Sequence, residues 1–492
     1  MNKGVIAAVV AIGLVAIGAM AVPVVERYAA GRIKAEIERD GSSTVGGVEV
    51  GLLGRSITLT DLKSSREADV SVGRWQASGL GWPLAELLQG RTPLAGLKWG
   101  DPLQADRLEL NDLSIGNGEA GGTWKMGSLV LEGLDLARFD ASDVGPYGPL
   151  VLVARALGAL SVSRLEQRRT VFVMPGSGDM FSMATIVVGG YEGGRMATVT
   201  VGDIEATARD GRAPLFKVAD VAINGLDVSR SIDALSSADW YPGISIGQVR
   251  VERGSATGFS GDTMARYGVS LGSITVETKR ESDTVSRSTT RIDGFALAPP
   301  LRSMEGLKLR LAMQAMGLRE VKLGFDCTGV EDRARGEIAV DRCALLGPNL
   351  AEINFTGRLV GADEAFWQAI DEGDVVALYD SKAVLDSAKL VLADASLLER
   401  GLKALSATTG QPVSTTRANL ARDIRRFQPS DVLITPTLTQ LLDTVARFVE
   451  QGGTLTLNAR PAPPLAIDRI DYLMSPGADL VEALGLSAIL SR

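Results

Sequence analysis

Two cysteines, Cys327 and Cys343, are the only thiols in this chain, and no histidine accompanies them. Between them runs Thr-Gly-Val-Glu-Asp-Arg-Ala-Arg-Gly, which reads as a polar turn flanked by the alternating runs Val321–Phe325 and Glu337–Val340. That pattern predicts an antiparallel hairpin with one cysteine on each arm. In an oxidising compartment a bond there would close a loop worth roughly 3 kcal/mol in the chain-entropy model. Two neighbouring buried thiols without a bond fit the same sequence, and strand register decides between them.

The other reactive groupings are thinner. Asp371, Glu372 and Asp374 form the densest carboxylate group. Hard cations such as Ca²⁺ take several oxygen ligands, but the EF-hand spacing is absent, so a solvated loop after a helix is the favoured reading. Arg422, Arg425 and Arg426 fall on neighbouring helical turns, where they could meet lipid phosphates or a partner's acids; a solvated helix face is favoured. The stretch Gly189–Gly194 lacks the Lys-Ser/Thr of a phosphate loop and reads as a turn. Asn354-Phe-Thr matches a glycosylation acceptor pattern, a three-residue match that carries no weight by itself.

The absence of histidine removes Ser-His-Asp and Cys-His catalysis, histidine acid–base chemistry and every His-ligated metal site. Carboxylate-only, Ser-Lys and calcium-dependent chemistry stay formally open. The expectation is a protein that is not an enzyme and uses no cofactor or metal. A net charge of −8 with no long basic tract leaves no concentrated surface for nucleic acid, and 5% aromatic residues make poor stacking platforms.

The elements that must position these residues begin with an uncharged apolar run from Val5 to Val25. At 1.5 Å per helical residue it reaches roughly 30 Å, about one bilayer core. Ala19-Met20-Ala21 offers a small-x-small cleavage site after a Lys3-bearing start, so a secretory signal is the second reading. Length, and the continued run Val22, Val24 and Val25, favour an uncleaved anchor. Arg27, Arg32, Lys34 and Arg39 argue weakly against export. The expected location is the inner membrane, single pass, with the body in the periplasm.

Glu26 to Glu38 keeps helical spacing, with Ala29, Ala30, Ile33 and Ile37 on one face. From Val48 the apolar period becomes 2. Arg107-Leu-Glu-Leu-Asn-Asp-Leu-Ser-Ile, Ser128-Leu-Val-Leu-Glu-Gly-Leu-Asp-Leu and Asp220-Val-Ala-Ile-Asn-Gly-Leu-Asp-Val repeat one cadence. In each a Gly or Asp precedes Leu, where a bulge or bend would re-aim the strand. Short helices are expected over Trp82–Gly90, Gly148–Leu160 and Ser303–Met316, and Thr185–Met196 reads as hairpin turn material.

Leu318–Val360 reads as three strands, Ala362–Asp371 as a helix, and Lys389–Ala393 as a strand leading into a helix over Ser396–Ser406. Helices over Ser414–Phe427 and Pro436–Gln451 follow, then a strand from Gly453 and a small helix over Pro476–Leu490. The stripe Leu438, Leu441, Leu442, Val445, Phe448 and Val449 is core-facing. The expected fold is α+β and β-dominated: an N-terminal transmembrane helix, a long twisted antiparallel meandering sheet with short covering helices, and a helix-rich C-terminal part. Residues 1–25 form the anchor or signal, 26–40 a helical stalk, 45–300 the β-rich meander and 301–492 the α+β part.

The opening resembles the AsmA-like family of bacterial envelope proteins. The likeness lies in the anchor, the short charged helix ending at Ile37, and the strand pair Gly47-Val-Glu-Val-Gly and Arg55-Ser-Ile-Thr-Leu-Thr-Asp-Leu. Ala68-Asp-Val-Ser-Val-Gly-Arg-Trp, the segment Trp82-Pro-Leu-Ala-Glu-Leu-Leu-Gln-Gly and Leu103-Gln-Ala-Asp-Arg-Leu-Glu-Leu complete it. It covers about a fifth of the chain. The asparagine-proline-glycine segment of that family is missing, and the helical final third departs from it. The resemblance implies an inner-membrane protein with a β-rich periplasmic body, serving outer-membrane biogenesis and, in the large members, carrying phospholipid along a hydrophobic groove.

Two functions compete. In one, the one-sided sheet offers an apolar groove to phospholipid or another acyl ligand, lined by Leu129, Leu131, Val221, Ile223, Val249 and Val251, which alternate with polar or small neighbours. In the other, the chain is a periplasmic scaffold or assembly factor whose helices seal that face and whose partners are envelope proteins.

Overall fold

The computed structural model describes residues 22–39, 41–65, 69–81, 98, 100–116, 122–209, 211, 213–241, 249–374, 376–428, 434–469 and 479–491. The expected anchor up to residue 21 and the helix expected from Trp82 lie outside the described residues. Among the described residues no helix is long and apolar enough to cross a membrane. The chain is β-dominated, with antiparallel strands that meander and short helices between them.

Two compact units are present, one of residues 1–214 and 224–244, the other of 215–223 and 245–492. Period-2 alternation is the same in both units, so apolar spacing carries no mark of the boundary.

In the first unit a helix, α1 (residues 22–37), precedes the strands. Ala29 and Ile33 on its inner face are 2% and 1% exposed. The Glu26 carboxylate accepts the Leu52 N–H at 2.9 Å, and Glu38 accepts that of Val45 at 3.2 Å. Strands β1 (Ser43–Thr44) and β2 (Gly47–Gly51) both pair with β3 (Ser56–Ser64). The meander continues through β4 (Asp69–Ser78), β5 (Leu103–Gly116), β6 (Thr123–Leu136), β7 (Leu160–Val173), β8 (Met180–Glu192) and β9 (Arg195–Thr207), each antiparallel to the one before. Strand β10 (Pro214–Asp227) is shared between the units. Helices α2 (Gly148–Ala159) and α3 (Ser229–Leu235) pack together in the first unit. The turn expected over Thr185–Met196 is mostly strand, and the chain reverses only at Gly193–Gly194. Those glycines gave the stronger local signal, while Ile186, Val187 and Val188 carry the strand.

The Gly/Asp-Leu cadence has a structural meaning. Asp61, Asp112, Arg169 and Asp203 on β3, β5, β7 and β9 all have positive φ, at 52°, 54°, 53° and 49°. The registers place Gly73, Gly127 and Ala184 of the intervening strands in the same transverse row. A crease therefore crosses seven strands. Aspartate tolerates the left-handed region because its short side chain bonds locally. A small residue faces it because space is scarce: a Cβ on Gly73 would sit 3.2 Å from that of Asp112. A second crease passes through Gly133 and Gly190, with φ of 61° and 62°. Buried residues then stand three apart across it, as Val188 and Tyr191 do, instead of two.

The second unit starts from β11 (Arg250–Thr257), α4 (Asp262–Tyr267), β12 (Val269–Ser270), β13 (Ser273–Arg280) and β14 (Val285–Leu297). Helix α5 (Met304–Ala315) follows, capped by the Ser303 hydroxyl, which accepts the Gly306 N–H at 2.9 Å. Then come β15 (Val321–Asp332), β16 (Glu337–Gly347), β17 (Ala351–Val360), α6 (Glu364–Glu372) and β18 (Val384–Asp394). The C-terminal part holds α7 (Leu397–Thr409), α8 (Val413–Arg425), α9 (Pro436–Gln451), β19 (Thr454–Ala459), β20 (Leu465–Ala466), α10 (Leu480–Ala483) and β21 (Leu486–Ser491). Of the helix expected over Pro476–Leu490, residues 476–478 lie outside the described residues, and the described part is helical only in α10. Leu486, Ala488 and Leu490 alternate and pair with β19, which supplies their backbone hydrogen bonds.

Ala421, Ala446 and Val449 form a core between α8 and α9, with Leu398, Leu420 and Ile424 packed around it. The three arginines expected on a solvated face are not equivalent. The Arg425 guanidinium forks onto both oxygens of Glu450, at 2.6 and 2.9 Å, and reaches Asp443 at 2.9 Å. This contact holds the Glu450 carboxyl below its ordinary range. Arg422 donates to Asn419 at 3.1 Å.

Candidate apolar binding face

Residues directly opposite on neighbouring strands share a face. In the first unit the registers build one transverse row from Val50, Ile57, Ala77, Leu108, Leu131, Leu165, Val188 and Val199. A parallel row runs Val48, Leu59, Trp75, Leu110, Leu129, Gln167, Ile186 and Val201. Only Gln167 is polar. At the β2–β4 end the first row is sealed, with Ile57 0% and Ala77 1% exposed. In the middle, Leu129, Leu131 and Leu165 are only half-buried.

The opposite face is charged. Arg107 bonds Glu132 at 2.9 Å and Glu109 at 3.3 Å, while Glu166 accepts from Arg164 at 3.1 Å and Arg168 at 2.6 Å. Asn111 and then Arg107 hold the Glu109 carboxyl below its usual range; Arg168 and Arg164 do the same for Glu166. One side of this sheet is thus oily and the other ionic.

The second unit repeats the arrangement. Ile274, Ile292, Phe325, Leu345, Ile353, Leu392, Leu455 and Leu490 form one apolar row. Next to it lie Val276, Thr290, Cys327, Cys343, Phe355, Leu390, Leu457 and Ala488. Helix α9 lies against β19 and β21, and Leu455 there is 6% exposed. On β16, β17 and β18, however, Leu345, Phe355 and Leu390 are 38%, 39% and 36% exposed. These are interior strands, so exposed apolar side chains there form a strip left uncovered among the described residues.

The cysteines sit in that strip. Cys327 and Cys343 are direct cross-strand partners on β15 and β16, joined as a disulfide with Cα atoms 3.9 Å apart. The hairpin is longer than expected: Thr328–Asp332 belongs to β15, and only Arg333–Gly336 turns. Both cysteines should resist thiol reagents until reduced, and Cys343→Ser should cost about 3 kcal/mol of stability. Thiol counting and denaturant unfolding under oxidising conditions check this; one free thiol per cysteine before reduction would contradict it.

The six groove residues expected from sequence are divided between the two units. Leu129 and Leu131 belong to the first unit and occupy its apolar rows. Val221 and Ile223 are half-buried on β10, and Val251 is half-buried on β11, all within the second unit. Val249 precedes β11 and is 51% exposed, so its alternation with Val251 does not extend the strand. Leu345, Phe355 and Leu390 were missed, although the pairs Cys343/Leu345, Ile353/Phe355 and Leu390/Leu392 carry the same period of two.

The carboxylate group divides: Glu372 and Asp374 are exposed at and beyond the end of α6, in keeping with a solvated loop after a helix, whereas Asp371 is not. Asp371 is 7% exposed and lies inside α6. Arg333 forks onto it at 2.7 and 3.0 Å, and Arg250 reaches it at 3.0 Å. Arg333 also stacks over the Trp367 ring, 5.0 Å from its centroid. Glu372 accepts from Gln368, and Asp374 accepts the N–H groups of Val376 and Ala377. Among the described residues no acidic or cysteine cluster could hold a metal ion.

Two shallow hollows of about 290 and 340 Å³ open in the second unit, both lined by Arg291. Arg291 is committed to Asp326 at 3.0 Å, and Arg253, in the larger hollow, to Glu277 at 2.7 Å. A protein family described as "Uncharacterized protein" matches residues 344–489, less than half of the chain. Curated proteins offer no match.

Proposed function

We propose that the chain is a membrane-anchored envelope protein, with its body in the periplasm, that binds the acyl part of a lipid on an apolar sheet face and supports envelope biogenesis. The observation that carries this reading is the uncovered strip of Leu345, Phe355 and Leu390 on interior strands. Burying a leucine or phenylalanine side chain completely is worth about 1.5–3 kcal/mol, so an acyl chain that covers the roughly one third still exposed gains about 0.5–1 kcal/mol at each residue without a polar cost. The half-buried Leu129 and Leu131 of the first unit suit the same class of ligand. The apolar run Val5–Val25 and the N-terminal resemblance to the AsmA-like family support the location.

The competing reading is a scaffold with a sealed sheet, favoured by α9 where it lies against β19 and β21. Purification of the full chain from native membranes, followed by mass spectrometry of extracted lipid, separates the two. Stoichiometric phospholipid or fatty acid is expected. Acyl lipid no higher than in a control membrane protein would favour the scaffold.

A further inference from the structure

The turn between β2 and β3 places two leucines in opposite settings. Leu52 is 8% exposed and Leu53 is 92% exposed. Leu52 is held by its N–H, which donates to Glu26 at 2.9 Å. Glu26 is the first charged residue after the uncharged run that ends at Val25. A helical residue advances about 1.5 Å, so the turn is fastened within about 2 Å, along the helix, of the point where that run stops. Val24 and Tyr28, four positions apart on one face of α1, are 66% and 56% exposed. Arg27 on the helix and Arg55 in the turn are exposed as well.

A single exposed leucine needs no explanation. Here two apolar side chains, a tyrosine and two arginines are exposed on the helix and the turn that are joined where a bilayer-length run ends. Tyrosine favours the water–lipid boundary, and arginine favours anionic headgroups. We infer that the Gly51–Arg55 turn is a membrane-contacting foot: Leu53 enters the headgroup boundary at the level along α1 where Val24 and Tyr28 are exposed, so the β2–β3 end of the first unit's strands is the lipid-facing end. The inference rests on the membrane attachment proposed above and adds the orientation of the strands to it.

Leu53→Cys, Val24→Cys and Ser65→Cys variants of the full chain, each carrying a polarity-sensitive thiol label, test it in vesicles of phosphatidylcholine and phosphatidylglycerol. Cys327 and Cys343 are bonded to each other and take no label. Ser65 follows β3, whose 9 residues carry the chain about 30 Å from the turn. Labels at positions 53 and 24 should shift to the blue and lose most of their emission to lipid-borne nitroxide. The label at 65 should respond only to aqueous iodide. A dry label at 24 with a wet label at 53 overturns the foot and leaves attachment standing. Protein that fails to float with the vesicles overturns both.

Discussion

Phe355→Asp should abolish retention of acyl lipid while lowering the stability of the second unit by about 1 kcal/mol or less, the scale of a strand-propensity loss at a solvent-facing position. Phe355 is 39% exposed, so the new carboxylate keeps much of its water, and its cross-strand neighbours Cys343 and Leu390 bring no like charge. A ligand alkyl chain, by contrast, would have to desolvate that carboxylate to lie across it. Ile57→Ala supplies the contrasting case. Ile57 is fully buried, so it should cost about 2–5 kcal/mol as a cavity-forming change without touching the strip. Unfolding in denaturant, read beside lipid content, separates the cases. A Phe355→Asp protein as destabilised as Ile57→Ala would mean the strip is sealed core. A stable one that still holds its lipid would place the ligand elsewhere.

The alternation that identifies these strands was plain in the sequence, and so was the interruption marked by Asp-Leu and Gly-Leu. What could not be read was its collective character. Asp61, Asp112 and Asp203 stand far apart in the chain and become one crease only when the registers align them. Burial was less legible. Val249 and Phe355 carry similar local patterns, yet one lies before its strand and the other in the middle of a sheet. Which apolar face is covered depends on where α9 docks, a long-range fact that no local period encodes. The carboxylates illustrate the same limit. Asp371 looked like its neighbours Glu372 and Asp374, and only the arrival of Arg333 from the β15–β16 turn and Arg250 from β11 separates it from them.

Asp371→Asn should destabilise the second unit by about 2–3 kcal/mol, below the full cost of breaking a buried ion pair because both arginine side chains are about one third exposed, at 33% and 37%. The change keeps the shape of the side chain and removes its charge, leaving two guanidinium groups without a counter-ion. The partners should rank by geometry. Arg333 makes two bonds and stacks on Trp367, so Arg333→Gln should approach the cost of Asp371→Asn; Arg250, with one bond, should cost clearly less. Replacing Arg333 and Asp371 together should cost less than the sum of the two single changes, since neither then leaves the other's charge stranded. Such a result would assign the group to joining α6 to the β15–β16 turn. Strict additivity would show that the three residues act separately, and the short distances among them would then carry no stabilising weight.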